Sequence, residues 1–198
     1  MANCGRQIPP AKRAGALSIF LALALAGAFV CLPAPESAAQ ERPTPSSVKA
    51  VYLYNFGKFV QWPAGTNPSE ASKPFSICVL GPDPISLALD NVVKGEAING
   101  QPLVSVRMEG VEDADNCRIL FIGAMPRARL DMTLAALQSK PILTVSDIGD
   151  FCSRGGMIQF VLQGDKVRFL VNLTAAEKSG LTLSSQLLKV ATTVSRTP

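Results

Sequence analysis

The chain has 198 residues, a formal net charge of +4, 47% hydrophobic residues and a mean hydropathy of +0.24. It contains no histidine, which excludes Ser-His-Asp and Cys-His nucleophile arrangements and the usual zinc sites. No basic run or aromatic-basic patch suggests nucleic acid, and one domain of this length can bury a proper core without metals or many disulfides.

Arg6, Lys12 and Arg13 precede an apolar run from Ala14 to Leu32, and Pro33, Pro35 and the small-residue site Ser37-Ala-Ala39 follow it. This is the pattern of a secretory signal peptide, with cleavage expected after Ala39. An uncleaved anchor is the alternative, against which stand the Ala-rich core and the Ser37/Ala39 pair. Cys31 follows Phe29-Val30 rather than a small residue, so a lipoprotein anchor is not expected. The predicted organisation is a leader over 1–39, a short linker over 40–47 and one α/β domain over 48–194. Removing the leader brings the net charge to about +2, and no second stretch is long enough to span a bilayer.

The segment Val48–Pro63 predicts a helix, with Pro45-Ser-Ser47 as turn and N-cap and Pro63 as its stop. Between Tyr52 and Trp62 it holds five of the chain's twelve aromatic residues. At helical pitch Val48, Val51, Tyr52, Phe56, Phe59 and Trp62 share one face, while Leu53, Tyr54 and Val60 leave the other only partly polar. Such a helix is either wedged inside the domain or presents Leu53, Tyr54 and Val60 to a partner. Asn55 falls within the apolar face, where an unpaired amide costs about 1–3 kcal/mol, and is expected to tie a neighbouring loop.

Strand Phe75–Leu80 leads through Gly81-Pro-Asp-Pro84 into a helix ending at Val93. Gly95, Asn99-Gly100 and Pro102 break the chain before a short strand at Leu103–Met108. Ile119–Ile122 reads as a strand buried on both faces. Pro126 opens a helix through Gln138, and Pro141–Ser146 is the next buried strand. Met157–Leu162 and Val167–Val171, joined by Gln163-Gly-Asp-Lys166, read as an antiparallel hairpin. Thr174-Ala-Ala-Glu177 is a capping box for a short helix ended by Gly180, and Ser184–Val194 predicts the last helix. The long polar loop is Gly65–Pro74. The expected fold is α/β: a three-layer α/β/α sandwich with a mainly parallel sheet and a C-terminal antiparallel hairpin.

Without the leader the cysteines are Cys78, Cys117 and Cys152, an odd number that leaves one thiol unpaired or bridging two chains. Cys78 and Cys117 lie on or beside expected strands and form the expected pair; closing a loop of about forty residues removes unfolded-chain entropy worth roughly 4 kcal/mol. Cys152 is left over, as a reactive redox thiol, a semi-buried structural thiol or an intermolecular bridge.

No motif predicts catalysis, a cofactor or a metal. A P-loop and Gly-x-Gly-x-x-Gly are both missing. Ser46-Ser-Val-Lys49 has the Ser-x-x-Lys spacing, but the serine is wanted as a helix cap and the companion motifs of acyl enzymes are lacking. Glu112-Asp-Ala-Asp115 lacks the glycine and final glutamate of a calcium loop. Asn172-Leu-Thr174 fits a glycosylation sequon that the capping role of Thr174 already explains, and Gly155-Gly156 reads as a tight loop before the hairpin rather than an anion nest. A ligand of an open α/β sheet would sit beyond the strands' carboxyl ends. The residues there are Asp83, Ser146 and Asp147, with Arg127 and Arg154 available for an anion.

Several of these segments, taken in order, resemble the YfiR family: Tyr54-Asn-Phe-Gly-Lys-Phe-Val-Gln-Trp-Pro63, Ile77-Cys-Val-Leu-Gly81, Cys117-Arg-Ile-Leu-Phe-Ile122, Leu143-Thr-Val-Ser-Asp147, Gly155-Gly-Met-Ile158, Val167-Arg-Phe169 and Asn172-Leu173. The match runs from about Val48 to Thr193. The resemblance implies a periplasmic α/β protein that often forms homodimers. It implies repression of an inner-membrane diguanylate cyclase through the cyclase's periplasmic region, relieved by an OmpA-like outer-membrane lipoprotein, and hence control of cyclic-di-GMP and biofilm. The alternative is a periplasmic small-molecule sensor or binding protein. Some relatives carry a second cysteine pair, whereas Cys152 has no remaining partner, so a redox switch built on a second intrachain disulfide is not expected here.

Overall fold

The computed structural model describes residues 43–63 and 73–196. The predicted leader with its cleavage point at Ala39, the start of the linker and most of the loop Gly65–Pro74 lie outside the described residues. In chain order the elements are α1 (Pro45–Phe59), β1 (Val60–Gln61), β2 (Phe75–Leu80), α2 (Ile85–Val93), β3 (Ala97–Ile98), β4 (Gln101–Met108), β5 (Ile119–Ile122), α3 (Arg127–Leu137) and β6 (Leu143–Ser146). They continue with β7 (Ile158–Gln163), β8 (Lys166–Asn172), α4 (Leu173–Lys178), β9 (Thr182–Leu183), α5 (Ser185–Val190) and β10 (Thr193–Ser195). No helix among the described residues is long and apolar enough to cross a membrane.

Eight strands form the main sheet in the order β10-β8-β7-β6-β5-β2-β4-β3. The five from β7 to β4 are parallel, β8 returns antiparallel to β7, and β3 folds back on β4. The expected hairpin is present, with Gln163 paired to Lys166 across a two-residue loop. The expected α/β/α layering follows from the alternation of buried side chains. Ile77, Val79, Ile119 and Phe121 point into a core shared with α1 and α2, while Cys78, Leu80, Leu120 and Ile122 point into a second core under α3. Burial of both faces is why β5 reads as an unbroken apolar run and β2 as nearly one, while β6 buries Thr144 and Ser146 on its second face.

Several elements differ from expectation. α1 begins three residues early, because Thr44 Oγ1 accepts the Ser47 N–H at 3.2 Å and Pro45 suits the first helical turn. It ends at Phe59, since Val60–Gln61 leave the helix to pair antiparallel with Leu183 and Thr182. Asn99 and Gly100, with φ of 51° and 80°, make the two-residue turn of a β3–β4 hairpin rather than a simple break. The cap of α4 is Asn172, whose Oδ1 accepts the Ala175 N–H at 3.2 Å, and not Thr174. The expected last helix stops at Val190: β-branched Thr192, Thr193 and Val194 favour extended backbone, Thr192 N donates to Phe169 O at 2.9 Å, and β10 adds parallel to β8.

Candidate functional site

α1 buries two stripes. Ala50, Leu53 and Gly57 recur at helical spacing and are covered on one side, while Tyr52 and Phe56 pack on Phe160 and Phe169 on the other, at centroid distances of 5.1–5.9 Å. The candidate partner surface is corrected accordingly. Leu53 is 0% exposed because α1 meets α2 with the side that the sequence placed outward, and Val60 is 5% exposed because it has left the helix to pair with Leu183. Tyr54 remains half-buried, donates its hydroxyl to the Glu96 carboxylate, and carries the Lys58 ammonium 3.9 Å above its ring. Val51, placed on the inner face by sequence, is exposed.

The open edge of the helix lies instead beside α5. Tyr52, Asn55 and Phe59 of α1 face Leu187 and Val190 over Phe169, enclosing a groove of about 320 Å³. Val190 is 61% exposed at its rim. Asn55 lines this groove rather than tying a loop, and none of the hydrogen bonds among the described residues uses its amide. The sequence signal for this surface was the polar Asn55 between aromatic residues; its other wall comes from a helix more than a hundred residues away.

The predicted crevice is not assembled. Asp83 Oδ1 accepts the Ile85 N–H at 2.9 Å and starts α2. Ser146 is buried, its hydroxyl donating to Ile122 O at 2.7 Å and accepting from Ile148 N at 3.1 Å. Asp147 pairs with Lys49 of α1, which also ends the Ser-x-x-Lys reading by occupying the lysine. Arg127 stands 3.6 Å from Asp150 on the exposed surface. The loops at this edge are closed by Gly81 N donating to Met108 O and Gly123 N to Leu80 O, both at 3.0 Å. Only Arg154 of the five residues faces one of the described cavities, a polar hollow between α3 and α4 that the sequence did not indicate.

Cys78 and Cys117 form a disulfide, with Cα atoms 5.9 Å apart, that joins β2 to the segment leading into β5. Cys152 is buried, its sulfur 3.7 Å from Met157 O and 3.8 Å from Leu170 O. Burial pushes its thiol up to about 12. Cys152 is thus a free, buried thiol, the structural one of the three readings, in this chain. Around it, Gln159 Oε1 accepts the Cys152 N–H at 3.1 Å and Asn172 Nδ2 donates to the Cys152 carbonyl at 2.9 Å. With both ends of its amide engaged and 2% exposure, Asn172 is no glycan acceptor. Gly155 adopts a φ of +99°, and a Cβ on Gly156 would stand 2.2 Å from the Phe151 ring, so the glycine pair serves the turn and its packing.

The sequence pattern of the YfiR/HmsC-like family matches residues 46–192, most of the chain. A solved structure described as a conserved domain protein from Vibrio cholerae O1 biovar El Tor str. N16961 is similar, with 14% identity and a TM-score of 0.49, over 77% of this chain and 60% of the other. The chain thus spans about 60% of that neighbour's length.

Proposed function

The chain belongs to the YfiR/HmsC-like family, and from that premise we propose that it is a periplasmic regulator acting by reversible protein contact. Its target is the periplasmic region of a membrane-bound diguanylate cyclase, so that it controls cyclic-di-GMP and biofilm formation, with release by an OmpA-like outer-membrane lipoprotein and a homodimer as the working form. The observation that carries this reading is the family match across 46–192, which takes in α1, both cores and the hairpin. Export is supported by the leader read in the sequence. A regulatory rather than catalytic role is supported by the state of the two nucleophile options: the Lys49 ammonium that would have to activate Ser46 is held by Asp147, and the Cys152 thiol is enclosed. The α1–α5 groove is the contact face of this reading, because its aromatic lining suits apolar side chains of an amphipathic segment.

Deleting the gene should change cellular cyclic-di-GMP and biofilm mass, the change disappearing when the cyclase is also deleted. Complementation with Val190→Asp, an exposed position, should give folded protein that neither captures the cyclase nor restores the signal. Unchanged cyclic-di-GMP in a strain that has the cyclase would refute the reading.

A further inference from the structure

The sheet face under α3 is incompletely covered. Between α3 and α4 lies a cavity of about 410 Å³ floored by Thr144, Met157 and Asn172, with Arg154, Lys178 and Ser179 on its walls. Its volume falls within the roughly 300–1,000 Å³ of small-molecule sites.

The polar groups of this cavity are unbalanced. Its floor is satisfied: Thr144 Oγ1 accepts the Met157 N–H at 3.1 Å, and the Asn172 amide is used at both ends. The walls carry donors without acceptors. Arg154 commits only Nη1, to the two oxygens of Asp131 at 2.8 and 3.1 Å, and its Nη2 and Nε meet no acceptor among the described residues. Ser179 is 7% exposed, yet its hydroxyl enters none of the hydrogen bonds among the described residues. Lys178 forms no ion pair among them. The Ser179 hydroxyl is left to the solvent of the open cavity, and a half-used guanidinium lining the same cavity presents the fork that matches planar oxyanions.

We propose that this cavity binds a small organic anion, whose carboxylate or phosphate oxygens accept from Arg154 and Ser179 while Lys178 supplies charge. Asp131 is the internal competitor: it holds the guanidinium when the cavity is empty and yields part of it when the anion enters. This goes beyond the regulatory reading and stands without it.

Isothermal titration of the purified protein at low ionic strength, with succinate and with inorganic phosphate, tests the site. At least one probe should bind saturably, which also separates carboxylate from phosphate recognition. Arg154→Gln should weaken that binding at least about tenfold, the size of a lost charge-assisted hydrogen bond. Ser179→Ala should weaken it several-fold, Asp131→Asn should tighten it, and Arg168→Gln on the exposed side of β8 should leave it unchanged. If Arg154→Gln melts early, Ser179→Ala and Asp131→Asn carry the test. The proposal is overturned by no saturable heat up to about 10 mM of either probe, by an equal heat from sodium chloride, by Asp131→Asn failing to tighten binding, or by wild-type binding in Ser179→Ala.

Discussion

The two faces of the central sheet are held by different physics, although the same strands supply both. Toward α1 and α2 the core is dry and aromatic: Tyr52, Phe56, Phe160 and Phe169 meet in stacked and edge-on contacts, and Ile77, Val79, Ile119 and Phe121 complete it. Toward α3 the core is smaller and holds a disulfide, the buried hydroxyls of Thr144 and Ser146, and the Cys152–Gln159–Asn172 knot beside a cavity. One face is stabilised mainly by apolar area removed from water. The other depends on a crosslink and on polar groups that must all find partners. The difference teaches what each face can offer at its opening: the groove beside α5 presents aromatic rings to apolar side chains, whereas the polar wall between α3 and α4 can lend its donors to a ligand.

That contrast can be broken by experiment. The largest effect is expected on the dry face, where Phe56→Ala removes a ring that is 2% exposed and should cost about 3–5 kcal/mol in urea unfolding. Next, replacing Cys78 and Cys117 together by alanine should cost about 2–4 kcal/mol. A larger loss there than for Phe56→Ala would reverse the ranking of the faces. The smallest effect at neutral pH concerns Cys152. Its thiol stays protonated in the folded chain to about 12 against a reference of 9.0, so the unfolded state releases its proton first. Stability should be unaffected below pH 9 and fall as pH rises from there toward 12, and Cys152→Ala should remove that alkaline loss. Peptide mapping after alkylation at pH 8 should find Cys152 unmodified in native protein and modified in urea; equal labelling would show the knot to be open.

Where sequence reading succeeded, the cause was local. Ile119–Ile122 is recovered with both ends because a run of four buried apolar residues is bounded by Arg118 and Gly123, and Cys78 and Cys117 pair as expected because each sits at a neighbouring strand. Where it failed, a distant segment decided. Leu53 turned inward because α2 packs on that side of α1, Val60 joined a strand because Leu183 was there to pair with it, and Val194 became a strand on the edge offered by β8. The Asn99-Gly100 turn was legible from its dipeptide, and reading it as a break missed a known hairpin signal. The crevice at the strand ends failed because Asp83, Ser146 and Asp147 were already employed in holding loops. The groove and the cavity each take walls from separated elements, which no local pattern announces.

Asn172 has a mechanical consequence. The turn that carries Cys152 and Arg154 is fastened through this single amide to the first turn of α4. α4 leads directly into β9, and β9 grips β1, the extension of α1, with Ser184 N reinforcing the clasp at 2.9 Å from Phe59 O. A tug on Arg154 therefore has a continuous linkage of covalent chain and short hydrogen bonds to the helix that lines the aromatic groove, like a cord run through pulleys from one side of the sheet to the other.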